Sequence, residues 1–175
     1  MLSHYKYTDK QKDELLKSII IIIDTNEQVY EHVTDYFNKN KIPYIRRKLP
    51  YGDYSFYIPK NEELSIPRDI YFDKEITIER KRNLDEISGN LSEKARFEKE
   101  ICTYTGKMYL LIENNNYTDI PEKNYKTDIK PKSFLALLHS MSIKYDLPFI
   151  FIPDNSFSGL YIYCVLYYYL RSKLH

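Results

Sequence analysis

A run of isoleucines at positions 19 to 23, closed by Asp24, constrains this chain more than any other feature. β-Branched side chains are stiff and suit a pleated strand. A run with no polar alternation needs apolar cover on both faces, which points to an inner strand of an α/β sheet. The flanks agree. Residues 8–17 read as a short charged helix with Thr8 and Gln11 placed for a capping box. Thr25 and Gln28 fit the cap of a second helix, whose apolar stripe is Val29, Val33, Tyr36 and Phe37 and which stops at Asn38 and Asn40.

The remaining chain continues the alternation. Residues 42–49 and 54–58 are predicted strands around a turn at Pro50, Gly52 and Asp53. Residues 61–74, broken by Pro67, read as a loop insertion. A strand is expected at 75–79, a helix at 84–104 broken near Gly89 and Asn90, and a strand at 108–113. A long polar loop at 114–132 follows, of a length that in a compact domain is functional or mobile. The end of the chain reads as helix 134–145, strand 149–152 and a tyrosine-rich helix at 160–174. Strands alternating with helices predict an α/β fold, partly parallel, with helices on both faces. The 175 residues fit one domain, residues 18–175, preceded by a helical extension at 1–17.

Composition excludes several classes. A net charge of +1 is too low for a purely electrostatic nucleic-acid binder, although an acidic metal site can cancel basic residues elsewhere. The two cysteines have neither disulfide-framework nor zinc spacing. No signal peptide opens the chain, and the longest apolar run, 160–170, is too short to span a membrane. An intracellular protein is expected, in cytoplasm or nucleus. There is no phosphate-cradling Gly-rich loop and no Ser/His/Asp arrangement. His32 and His139 lack ligand spacing and read as ordinary histidines.

The chemistry concentrates at predicted strand ends. Asp24-Thr25-Asn26-Glu27, Gly52-Asp53-Tyr54 and Glu79-Arg80-Lys81-Arg82-Asn83-Leu84-Asp85 each place acids there. Alone, Glu27 suits a helix N-terminus, Asp53 a turn and Glu79 to Arg82 a solvated strand end. Together they suggest more. Period 2 puts Glu79 and Lys81 on one side of their strand, and such a pair is costly to bury unless it is paired or binds an ion. Converging carboxylates suit a hard dication, which activates water for phosphodiester hydrolysis, and an adjacent lysine offsets charge on the phosphate.

These motifs resemble the G-D…E-R-K-x-x-x-D signature of XPF-type structure-specific endonucleases, within the PD-(D/E)XK nucleases. Residues 22–27 resemble that family's strand and D-x-R-E opening, 49–54 its G-D-Y segment and 108–113 its L-L-I-E strand. The resemblance implies a restriction-endonuclease-like mixed sheet flanked by helices on both faces. It implies Mg²⁺, with Mn²⁺ able to substitute, held by Asp53, Glu79, the Arg80 carbonyl and Glu27. Lys81 would be the catalytic lysine, Asp24 and Asp85 supporting residues, and Arg96 a phosphate contact. Asn26 stands where the family usually has arginine, and Glu100 where it often has glutamine; both changes remove groups that could meet DNA.

The expected activity is cleavage of branched or partly single-stranded DNA (flap, fork or four-way junction) in repair, recombination or replication. The alternatives are a non-catalytic DNA-binding subunit of a heterodimer and a restriction-like nuclease. With four glycines and no G-x-G pair, a helix-hairpin-helix module is not expected, so DNA contacts are assigned to Arg82, Lys94, Arg96, Lys126 and Lys130. Arg46, Arg47 and Lys48 form a further basic cluster, and Tyr117 and Tyr125 among lysines suit base stacking. The apolar girth of the last two helices predicts a homodimer closed by them, with a protein partner for DNA targeting as a further expectation.

Overall fold

The computed structural model describes residues 7–92 and 94–174, leaving out the side chains of 90–97 and 100. Its centre is a seven-stranded mixed sheet in the order β2-β1-β3-β5-β6-β7, with β4 pairing on β3. The strands are β1 (Ile20–Ile23), β2 (Tyr44–Arg46), β3 (Tyr54–Ile58), β4 (Ile70–Tyr71), β5 (Ile76–Lys81), β6 (Lys107–Glu113) and β7 (Phe149–Ile152). β1 runs parallel to β2, and β5, β6 and β7 run parallel to one another, while β3 is antiparallel to β1, β4 and β5. The isoleucine run is an inner strand, with residues 21 to 23 completely buried.

Helices α1 (Asp9–Lys17), α2 (Glu31–Lys39), α3 (Leu84–Ser92), α4 (Lys94–Thr103), α5 (Pro131–Tyr145) and α6 (Ser158–Lys173) cover the sheet. Two cores result. Leu15, Leu16, Val33, Phe37, Ile162 and Leu166 of α1, α2 and α6 pack on Ile21, Ile23, Tyr54, Phe56, Ile76 and Ile78. Leu84, Ile87, Ile101, Phe134, Leu138 and Met141 of α3, α4 and α5 pack on Leu110 and Ile112. Strand alternation therefore assigns even-numbered β5 residues, Arg80 included, to the α2/α6 face, and Thr77, Glu79 and Lys81 to the α3/α5 face. α1 begins with the expected capping box between Thr8 and Gln11.

Three local expectations are corrected. Thr25 and Gln28 cap nothing: α2 starts at Glu31 after Tyr30, and Val29 is exposed rather than part of the stripe. The Asp24 carboxylate turns the chain there by accepting from the N–H of Asn26 at 3.0 Å and of Leu49 at 2.7 Å. Residues 61–74 are not all loop, because Ile70 and Tyr71 pair with β3 and Asn61 bridges Ile66. The helix expected at 84–104 is divided as expected, but later: α3 continues through Gly89 and Asn90 to Ser92, and α4 begins at Lys94. The loop after β6 is tied to the second core by Ile120, which is completely buried.

No described helix is long and apolar enough to cross a membrane.

Candidate active site

The sheet order brings the strand-end motifs together. Gly52 and Asp53 lead into β3, and Glu79 to Lys81 end β5, next to each other in the sheet. Gly52 is needed at the turn: its φ is +64°, and a Cβ would stand 2.2 Å from the Thr77 Oγ1. That hydroxyl is fixed by donating toward the carbonyls of Tyr51 and Tyr54. The turn aims Asp53 at β5. Its Oδ2 accepts from the Arg80 N–H at 2.7 Å, and its own N–H donates to the Ile78 carbonyl at 2.9 Å.

Asp53, Glu79, Lys81 and Glu27 line one polar cleft of about 190 Å³, with Arg80, Arg82 and Glu86. The Lys81 Nζ donates to Glu79 Oε1 at 2.5 Å, both side chains nearly buried. Burial alone would lower the Lys81 pKa, but the Glu79 carboxylate outweighs it and holds the ammonium above its usual range. Burial pushes the Asp53 carboxyl well above the carboxylate range, and the charge of Glu79 adds to it, against the Arg80 N–H. The Glu79 charge thus disfavours a second charge on Asp53, which a bound cation would relieve.

Glu27 is placed differently from Asp53 and Glu79. Its carboxylate faces the Arg80 guanidinium, accepting from Nη2 at 2.8 Å and Nε at 3.3 Å. Arg80 Nη2 also donates to the Val29 carbonyl at 2.7 Å, and Nη1 to Glu113 Oε2 at 2.5 Å. Glu113 Oε1 meets His32 Nε2 at 2.8 Å. Burial pushes the Glu113 carboxyl up, but His32 and Arg80 hold it below its usual range. The buried Ser158 hydroxyl lies beside Glu113 without completing a hydrogen bond. Among the described residues, no three His, Cys, Asp or Glu side chains form a ready metal cage. Two carboxylates still fit Mg²⁺, which is commonly held by one or two carboxylates, with waters and substrate phosphate completing its shell.

Asp24 is a turn anchor, accepting from two backbone N–H groups and pairing with Lys48 at 3.3 Å. Asp85 is not among the residues lining the cleft; its Oδ1 accepts from the Lys126 N–H at 2.6 Å and ties down the loop after β6. Arg82 is exposed at the cleft and paired with Glu86. Lys126 and Lys130 are exposed, while the side chains of Lys94 and Arg96 lie outside the described residues. Tyr125 does not offer a free ring: it packs on Phe134, its hydroxyl donates to the Ile129 carbonyl, and Lys123 lies over it. Tyr117 bonds His139 and packs on Phe151.

His32 and Glu113 were missed by sequence reasoning. One signal for Glu113 existed. Arg80, between Glu79 and Lys81, must point to the opposite, apolar face, where a guanidinium requires carboxylate partners. Glu113 ends the neighbouring buried strand.

A mixed α/β sheet with acids and a lysine converging at two adjacent strand ends is the architecture of restriction-endonuclease-like nucleases. Residues 23–165 match the ERCC4 domain, and the chain belongs to that family. Among solved structures it is similar to XPF from Aeropyrum pernix, with a TM-score of 0.63 at 15% identity, over 87% of this chain and 65% of that one. It is also similar to XPF from Aeropyrum pernix in complex with DNA, with a TM-score of 0.61 at 16% identity, over 87% of this chain and 66% of that one. This chain thus spans about two thirds of those proteins. No curated protein matches the sequence.

Proposed function

We propose that the protein is a divalent-metal-dependent endonuclease that cuts branched or partly single-stranded DNA, acting in repair, recombination or replication. The observation that carries this reading is the buried Lys81–Glu79 pair beside Asp53 in a polar cleft. Asp53 and Glu79, with the Arg80 carbonyl, would hold Mg²⁺ or Mn²⁺. When bound, such an ion polarises the phosphate and supplies a nucleophilic water. Lys81, kept as an ammonium by Glu79, offsets charge that builds on the phosphate oxygens. Glu27 forms the cleft wall through Arg80, and Arg82 at the mouth is placed for a phosphate. Lys126 and Lys130 extend a basic surface along the loop that Asp85 fastens. The likeness to a DNA-bound XPF supports DNA as the partner.

A homodimer through the C-terminal helices belongs to the same reading. Tyr168 and Leu160 of α6 are exposed, and a cavity of about 400 Å³ opens between α6 and β6, lined by Lys107, Tyr109, Tyr161 and Val165 among others. The commitment of Glu27 to Arg80 favours one rival, a non-catalytic DNA-binding subunit. One experiment separates them. Purified protein is incubated with labelled hairpin, flap, fork, junction and linear duplex DNA, with Mg²⁺, Mn²⁺ or EDTA. Metal-dependent cutting of branched DNA is expected. Binding without cutting establishes the subunit reading, equal cutting of linear duplex a restriction-like one, and cutting in EDTA sinks the metal assignment.

A further inference from the structure

Behind the cleft lies a chain of hydrogen-bonded side chains in order: His32, Glu113, Arg80, Glu27. The side chains of Arg80 and Glu113 are 2% and 1% exposed, and Glu27 is 9% exposed. His32, in the first turn of α2, forms the outer end at 18%. Burying such a chain is a poor way to stabilise a fold, because apolar residues of similar volume are commonly as good or better. Leu111, on the same sheet face as Glu113, shows that this core accepts aliphatic side chains. The chain calls for another reason.

We propose that Glu113 and His32 are positioning residues of the active site, acting through Arg80; this rests on the nuclease reading above. The Arg80 guanidinium is a rigid fork of donors. Nε and Nη2 serve Glu27, Nη2 also serves the Val29 carbonyl, and Nη1 serves Glu113. A guanidinium held by Glu27 alone could swing with that carboxylate. Glu113 on the far side removes this freedom, and His32 fixes Glu113 by taking its other oxygen. The result reaches the reacting end by two routes. The side chain of Arg80 sets Glu27 at the cleft wall, and its backbone N–H orients the Asp53 carboxylate. His32 does not line the cleft, and its side chain is linked to it through Glu113 and Arg80.

The test uses His32→Ala, at a partly exposed site where the protein should still fold, together with His32→Gln, whose Nε2 can replace the ring Nε2. Cleavage of the preferred branched DNA in Mg²⁺ should show kcat reduced about 10-fold in His32→Ala, as outer supporting residues commonly do. KM should stay at the wild-type value, Tm should fall modestly because one Glu113 oxygen loses its partner, and His32→Gln should recover most of both the rate and the Tm. A second readout needs no cleavage: the NMR exchange rate of the Arg80 Nε–H with water. It should be slow in the wild type, faster in His32→Ala and slow again in His32→Gln. Wild-type kcat in His32→Ala, or an Arg80 exchange rate indifferent to His32, overturns the proposal. If the wild-type protein cuts no DNA, the nuclease reading fails on its own, and the Arg80 exchange still decides whether His32 orients the guanidinium.

Discussion

Asp53 and Lys81 show how much of this site is decided residue by residue. Asp53 carries a carboxylate whose charge burial and Glu79 both disfavour, so folding works against it and binding a cation repays it. Asp53→Asn should therefore abolish metal-dependent cleavage while Tm equals or exceeds that of the wild type, measured by calorimetry in EDTA. A large fall in Tm would mean that Asp53 serves the fold instead. Lys81→Ala should keep DNA binding and lower kcat by about 100- to 1000-fold, the range for losing one preorganised electrostatic group; wild-type turnover would remove Lys81 from the chemistry. Gly52 is a third such residue. Gly52→Ala places a Cβ in the left-handed region, which costs about 1–2 kcal/mol. It also meets a Thr77 hydroxyl held by two carbonyls. Urea unfolding should show a loss of at least that size, and a smaller one would show that the turn can be rebuilt without glycine.

Among the elements, β5 does the most. Buried along its whole length, it carries Glu79 and Lys81 on one face and Arg80 on the other, so one strand feeds both the cleft and the hydrogen-bonded chain behind it. The turn between β1 and α2 serves the same end. Its carbonyls at Thr25 and Glu27 accept from Arg46 and that at Val29 from Arg80, and residues engaged in that way are not free to extend the helix. The position of α2 depends in turn on α6. Gly159 lets the two approach so closely that a Cβ there would lie 2.7 Å from the Cβ of Tyr36. Gly159→Val should push the helices apart and destabilise the protein by about 1–3 kcal/mol, read as a lower urea midpoint; an unchanged midpoint would mean that the crossing has slack.

For the whole molecule, the question is whether one copy is enough. A helix covering one sheet face needs an apolar stripe about 100° wide, yet α6 leaves Tyr168 57% and Leu160 39% exposed on either side of its buried residues. Light scattering at micromolar concentration should give twice the 21.1 kDa of one chain, and Tyr168→Lys should shift it toward the single-chain mass. A 21.1 kDa particle at all concentrations with full cleavage would leave the single chain as the working unit. Metal binding should also be visible as stability. At 100 times its dissociation constant, Mg²⁺ should add about 2.7 kcal/mol, and this gain should vanish in Asp53→Asn.

Much of this was legible in the linear chain, for reasons of short range. The isoleucine run, the Thr8–Gln11 box and the Gly52-Asp53 turn depend on neighbours within a few residues, so composition and spacing report them directly. Glu79-x-Lys81 was legible too, because strand alternation forces two such residues to one side. Other outcomes depended on contacts across the fold. The start of α2 moved from Thr25 to Glu31 because Asp24 captures Leu49 and Arg80 captures Val29, partners 25 and 51 residues away. Tyr125 became a packing residue because Phe134 stands beneath it. Glu27 went to Arg80, and His32 and Glu113 joined them across 81 residues of chain, because a guanidinium on an apolar sheet face must gather its acceptors wherever the fold brings them. Sequence by itself determined which chemical groups the site contains; tertiary structure decided which of them hold one another, since the energy of a buried charge is set by its neighbours in space.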